Sequence, residues 1–333
     1  MRFQVDNRTV DIFALVPRTT DQADYWRNVR EVTRLCDKYS YSGILVYTGN
    51  DVCIEPWLAA QAMISTSTSL MPLVAVNPVY MHPLAVARMI SSLIWMYERR
   101  VFVNWVTGAA LRDMQALNEV YDHDARYARL LEYVTIVDRL LAGGRVSFKG
   151  KFYAVEGLQL LTAIPAALMP GYMLAGQSAA ARRVAAELGA VNLQMLSPDL
   201  SGGAGALNLG IVTRATEDQA WLAAHTRFPR SDVGRLILKE SMQNTDSEWK
   251  RRLKLVAEQS GAAARGFWMS PFEHFQADQP FFVGSHSQVS DLIVALIRAG
   301  VTTFVLDVPA ESVEFDNIAI ALGHARDVLQ GRG

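Results

Sequence analysis

Cysteine is nearly absent: a chain of 333 residues holds two, Cys36 and Cys53. They sit in unrelated contexts, which argues against a disulfide framework and a cysteine-built metal centre. Excess charge of either sign is absent too. Lys and Arg number 32 against 33 Asp and Glu, a net charge of −1. No basic stretch is interleaved with aromatics, so the electrostatic footprint of a nucleic-acid-binding protein is missing. No apolar run is long and pure enough to span a bilayer. The first residues, MRFQVDNRTVDIF, lack the continuous apolar core of a signal peptide. The expectation is a cytoplasmic protein with neither nucleic acid nor membrane as partner. What is plentiful is apolar: half of the residues are hydrophobic and one fifth are charged. That is enough for a sizeable core. No internal repeat and no linker divides the chain, so one domain over 1–333 is expected.

The order of elements then sets the fold class. VDIFALVP (10–17), SGILVYTG (42–49), LMPLVAVNP (70–78) and VFVNWVTG (101–108) read as buried strands. Helical spacing separates them at 21–39, 56–65 and 83–97, and 125–141 is strongly helical. The second half continues with strands at 171–176, 190–196, 206–214 and 301–309, a helix at 178–188 and a closing helix near 313–329. Continuous Val/Ile/Leu strands alternating with helices are the pattern of a parallel sheet covered on both faces. Eight such strands in this length fit a (β/α)8 barrel with insertions better than an open doubly wound sheet. RVSFKGKFYAV suggests a β-hairpin insertion near 145–160. The stretch 227–282 shows no clean strand, and a mobile insertion or lid is expected within 227–284.

Chemistry in such a barrel sits at the C-terminal ends of the strands. Those ends hold Arg18, Thr48 to Cys53, Asn77 to His82, Asn104 to Gly108, Gly176 to Ser178, Met195 and Asp307. They are small, polar and mostly uncharged. No His/Asp/Glu group has metal-ligand spacing, no GxSxG elbow or GxxxxGK[ST] loop occurs, and no metal site is expected. A site so poor in acids, bases and metals borrows its chemistry from a cofactor. AGQSAAARRVAAEL offers an anion site, with Gly176 permitting close approach and Ser178 capping a helix whose free N–H groups face a phosphate. The bland alternative is a helix cap and nothing more. NWVTGAALRDMQALNEVYDHDARY places His123 and Tyr127 four residues apart, on one helix face. Cys36, at an apolar helical position, reads as core.

These segments carry a family resemblance. VTG, then DHDARYARLLEYVTIVDRLLAGGRVSFKGKFYAVEG, then AGQSAAARRVAAELGAVNLQ, resembles the bacterial luciferase-like flavin monooxygenases, nearest the alkanesulfonate monooxygenase branch. YTGNDVCIEPWLAAQAMI resembles that branch after its second strand. The resemblance implies a TIM barrel that takes reduced FMN from a separate flavin reductase and uses O2 as co-substrate. It implies Asn104 and Thr107 near the isoalloxazine, His123 and Tyr127 at the ribityl-phosphate end, and Gly176, Gln177 and Ser178 at the phosphate. It also implies a homodimer or homotetramer built on the early helices.

The departures bear on substrate. Where the sulfonate branch has a histidine, this chain has Gly210; where it has a tryptophan after strand six, Met195 stands. Its loop arginine falls near Phe275, and its late tyrosine is missing from LDVPAES. A larger, less charged organic substrate follows, free or held on a carrier protein. Cys53 either assists the flavin chemistry or is a small buried residue. His82 either faces the pocket as an acid or base or caps the helix at Pro83. Arg18, Trp268 and Phe275 are candidate substrate or lid contacts, with Glu273 and His274 beside them. Two further readings stay open: a flavin-binding protein without catalysis, and a deazaflavin-dependent oxidoreductase on the same barrel.

Overall fold

The computed structural model describes residues 2–5, 8–259 and 264–331. β1 (Phe3–Val5) folds back antiparallel on β2 (Arg8–Leu15). Alternation then begins: α1 (Gln22–Lys38), β3 (Gly43–Val46), α2 (Pro56–Ser65), β4 (Met71–Val76), α3 (Pro83–Tyr97), β5 (Phe102–Trp105). α4 (Leu111–Ala116) and α5 (His123–Ala142) follow, and the hairpin β6 (Val146–Lys149) with β7 (Ala154–Leu158) interrupts the wheel. β8 (Gly171–Ala175), α6 (Ala179–Glu187), β9 (Val191–Met195) and β10 (Gly205–Arg214) resume it. The longest excursion comes next: α7 (Glu217–Arg227), α8 (Asp232–Gln243), α9 (Glu248–Glu258), β11 (Phe267–Trp268), α10 (Ser270–Glu273) and β12 (Phe281–Ser285). α11 (His286–Arg298), β13 (Val301–Asp307) and α12 (Ser312–Leu329) complete the chain.

β2, β3, β4, β5, β8, β9, β10 and β13 pair in parallel, each with the next, and β13 pairs back onto β2 from Thr303↔Asp11 to Asp307↔Leu15. The sheet is therefore a closed eight-stranded barrel. Burial on both faces explains why the strand sequences are mostly apolar, with Asn104 on β5 and Asn208 on β10 among the exceptions. Phe13, Leu15, Leu73, Ala75, Phe102 and Met173 fill the interior. Their neighbours Ile12, Ala14, Val74 and Val103 face the helices. Both faces are buried, so no polar phase is left to read.

The structure corrects the expectation for 227–282. β12 begins inside it and pairs in parallel with Gly210–Arg214, the part of β10 that starts at its last β13 partner, Gly210. Gly210 is explained there. A Cβ at this position would lie 2.1 Å from the Phe281 ring. A histidine has no room at Gly210 while Phe281 packs here.

Candidate active site

Two cavities open at the C-terminal end of the barrel and share Arg18, Tyr47, Thr107, Lys250 and Asp278 in their walls. The inner one holds about 300 Å³, the outer one about 820 Å³. A third, of about 700 Å³, lies at the opposite end, against Asp11, Arg100 and Thr303. In a (β/α)8 barrel that end bears on stability and the C-terminal end on chemistry.

The inner cavity is lined from β2, β3, β4, β5, β8, β9 and β10, from α5 and α9, and from the start of α6. β5 presents Asn104, and the loop after it Thr107; both are buried. α5 starts at Asp122, whose carboxylate accepts from Ala125 N–H at 2.8 Å. The start of α5 then sets His123 against Tyr127, ring centroids 5.0 Å apart and planes tilted by 58°. His123 Nδ1 lies 2.8 Å from Asp124 Oδ1. Burial pushes the Tyr127 phenol up, and a hydrogen bond with Thr107 opposes that. Gly176 follows β8 with φ +153°; a Cβ on it would meet Tyr127 Oη at 2.5 Å and Ala181 Cβ at 2.8 Å. The position is thus glycine by conformation and by space. Ser178 caps α6, accepting from Ala181 N–H at 3.1 Å, and leaves the other first-turn N–H groups free of intrahelical partners.

Three amide oxygens around this cavity are orphaned. Asn104 Oδ1, Gln177 Oε1 and Asn208 Oδ1 are buried without a hydrogen-bond partner. An unmet buried acceptor costs roughly 1–3 kcal/mol, a cost that a ligand with several donors would relieve.

The excursion after β10 supplies the roof. Asp278 is ion-paired with Arg18, whose guanidinium also lies 5.1 Å from the Tyr47 ring centroid. Burial alone would raise the Asp278 carboxyl; the charges of Arg18 and Lys250 and the Arg18 hydrogen bond bring it below its ordinary value. Trp249 Nε1 donates to the Asp278 carbonyl at 3.0 Å. Gln279 donates to Asp307, a carboxyl that burial pushes up. Arg126, buried, holds Asp246 at 2.6 Å.

The structure thus brings together Arg18, Asn104, Thr107, His123, Tyr127, Gly176, Gln177 and Ser178, with Phe275 on the outer cavity. Four candidates lie elsewhere. His82 is exposed and caps α3, its Nδ1 accepting from Leu84 N–H at 3.2 Å. Cys53 is half-buried behind the rim, its Sγ donating to the Thr19 carbonyl at 3.4 Å. Met195 ends β9 and packs into the core outside the barrel. Trp268 packs edge-on against Trp221, Phe228 and Phe281, because β11 pairs with β12. None of the four lines either cavity. His274 is buried and accepts from Ser231 N–H at 3.0 Å. Asn208, Lys250, Asp278 and Gln279 were not singled out in the sequence. Asn208 carried a signal, a lone amide in the apolar run ALNLGIVT, in phase with the inward-facing Ala206.

Residues 9–207 match the family model for luciferase-like monooxygenases. The chain belongs to the luciferase-like monooxygenase family. The 4-(gamma-L-glutamylamino)butanoyl-[BtrI acyl-carrier protein] monooxygenase BtrO of Niallia circulans is 27% identical over 315 residues, covering 90% of this chain and 92% of BtrO. Among solved structures, the EDTA monooxygenase EmoA from Chelativorans sp. BNC1 superposes with a TM-score of 0.70 at 14% identity, over 97% of this chain and 94% of EmoA. The oxygenating constituent of 3,6-diketocamphane monooxygenase of Pseudomonas putida, solved with FMN, gives 0.68 at 14% identity, over 94% of this chain and 98% of that one. At such identities the two structures establish the shared fold.

Proposed function

We propose that this protein is a flavin-dependent monooxygenase of the two-component type. It takes reduced FMN from a separate reductase and oxygenates an organic acyl group presented as a thioester on a carrier protein. The observation that carries the cofactor is the inner cavity itself. Three unpartnered amide oxygens, a glycine that a Cβ would close, and a Ser-capped helix start converge there. These residues fit a flavin mononucleotide. The phosphate would be held by the first N–H groups of α6 with Ser178, His123 and Tyr127. Asn104, Gln177 and Asn208 would accept from ring N–H and ribityl hydroxyl donors.

When bound in its reduced form, the isoalloxazine supplies the electrons that divide dioxygen between product and water. The chain's own contribution is binding, orientation and exclusion of water. Trp249, Lys250 and the Arg18–Asp278 pair roof the inner cavity. Phe275, 42% exposed, stands on the wall of the outer cavity, where the substrate would lie. Of the segment 227–284, the described residues before β12 would act as the lid over both. The carrier-bound substrate is supported by the relative that acts on an acyl-carrier-protein substrate. α2 and α3 expose Leu58, Trp95 and Met96 at 64, 52 and 59%, a face suited to a homodimer or a dimer of dimers.

Fluorescence titration with FMN and with a deazaflavin tests the cofactor. FMN is expected to bind, and to bind more weakly in Asn104→Ala and Asn208→Ala. Exclusive binding of the deazaflavin would overturn the reading. FMN binding without oxygen uptake, across acyl thioesters and with reductase present, would favour a non-catalytic flavin protein.

A further inference from the structure

The outer cavity reaches the paired helices α8 and α9 through Ser241 and Lys250, and the far side of that pair is unusual. Val233, Leu236 and Ile237 share one face of α8 at i, i+3, i+4 spacing. They are 68, 60 and 43% exposed, and Leu255 of α9 is 57% exposed. A groove of about 530 Å³ is lined by both helices and α10. It carries three cations, Arg235, Lys239 and Lys254, beside apolar Leu238 and Met242, with Glu258 and Glu273 on the same wall. Lys254 Nζ lies 3.9 Å from Glu258. Among the described residues Arg235 and Lys239 have no ion pair.

Groove and cavity are close neighbours. Lys250 Nζ donates to Ser241 Oγ at 2.9 Å, joining the two helices at the cavity wall. Lys254 follows Lys250 by one turn, about 6 Å along the helix axis. On α8 the steps Val233, Ile237, Ser241 run along one face to the same rim.

We propose that the α8–α9 face docks an acidic acyl carrier protein, and that the groove seats the phosphodiester at the base of its phosphopantetheine arm. The inference rests on the carrier-bound reading above and names the surface that would serve it. Arg235 and Lys239 supply the donor fork and point charge that a phosphate takes. Beyond them the arm, two amide links joined by single bonds, reaches roughly 20 Å when extended. That suffices to carry a thioester past Ser241 and Lys250 into the outer cavity. An exposed apolar stripe with charge beside it marks a protein partner rather than a small molecule. Coenzyme A, with the same arm, brings no surface to cover that stripe. An acidic partner complements the cations, whereas a second copy set face to face would bring both copies' Arg235, Lys239 and Lys254 into one interface with only Glu258 and Glu273 to offset them.

Calorimetry on the full FMN-loaded chain separates the parts. S-butanoyl-4′-phosphopantetheine is expected to bind about tenfold tighter than its dephosphorylated form, one decade being the scale of a single favourable contact. Arg235→Glu with Lys239→Glu should erase that preference and leave FMN affinity unchanged. Equal binding of the two forms by the native chain, or a preference that survives the substitutions, overturns the phosphate seat. Binding of neither form overturns the acyl-thioester reading, and the seat with it. For the docking surface, the probes are a butanoyl-loaded acyl carrier protein of bacterial fatty-acid synthesis and butanoyl-coenzyme A. Val233→Ser with Ile237→Ser should weaken the carrier protein about tenfold and spare the coenzyme A thioester. Equal effects on both probes overturn docking. So does a changed oligomeric state in light scattering with carrier binding intact, which assigns the face to a second copy.

Discussion

Gly176→Ala tests the geometry of the cofactor site most sharply. The new Cβ would stand 2.5 Å from Tyr127 Oη and 2.8 Å from Ala181 Cβ, on a backbone with φ +153°. Ala181 sits in the first turn of α6 and cannot retreat without moving the helix; the phenol can swing. Crowding of this kind costs about 1–3 kcal/mol, and a side chain in this backbone region adds a similar amount. Partial relaxation of Tyr127 leaves about 2 kcal/mol. At the usual unfolding entropy per residue, a chain of this length then loses about 3 °C in Tm. The relaxation displaces the phenol from the proposed phosphate end, so FMN affinity is expected to fall at least tenfold, about 1.4 kcal/mol. Tyr127→Phe removes the clashing oxygen. The double variant should therefore recover part of the Tm loss and none of the affinity. Calorimetry and a flavin fluorescence titration read both quantities. Native Tm and native FMN affinity in Gly176→Ala would refute the reasoning, as would a double variant no more stable than the sum of the singles.

Three further outcomes follow. Ser178→Asp keeps an N-cap acceptor and suits the helix dipole, so folding survives. Its charge opposes the phosphate, and FMN affinity should fall tenfold or more; unchanged affinity would move the phosphate elsewhere. Asp278 has a folded-state carboxyl lowered below its ordinary value. Its contribution is therefore present above the unfolded carboxylate range, about pH 4, and is lost as pH falls through the lower folded value. Asp278→Asn should cost about 1 kcal/mol at pH 7, with the gap to the native chain closing below that range; a pH-independent gap would contradict the ion-pair account. Phe275→Ala, on the outer wall alone, should leave FMN binding intact and raise hydrogen peroxide released per turnover. Native peroxide yield at full turnover would remove Phe275 from the substrate cavity.

Much of the barrel was legible because parallel strands buried on both faces leave long apolar runs, such as MPLVAV in β4 and IFAL in β2. The inner cavity was partly legible for the same reason. Polar residues ending such runs, Asn104, Thr107 and Gly176 to Ser178, have nowhere to point but the mouth. Misreadings came where a side chain's direction depends on a distant partner. Trp268 reads as a lid residue in a loop rich in small residues, yet its pairing with Phe281 turns it into an aromatic cluster. β12 follows Pro280 as FFVGS, too short to show a period, and the space at Gly210 is filled by the Phe281 ring that it brings there. His82 fitted both a cap and a pocket base, and the backbone of α3 decides for the cap. The Arg18–Asp278 pair spans 260 residues, a separation at which sequence carries no local signal.

The central claim is oxygen transfer by a flavin that this chain binds but does not itself reduce. Its most direct test is mass spectrometry of a butanoyl thioester incubated with the protein, FMN, NADPH and heavy-isotope dioxygen, with and without an added flavin reductase. The expected result is one labelled oxygen atom in the acyl product, only when the reductase is present. Label found solely in hydrogen peroxide across the acyl thioesters, or incorporation at full rate without the reductase, would contradict it.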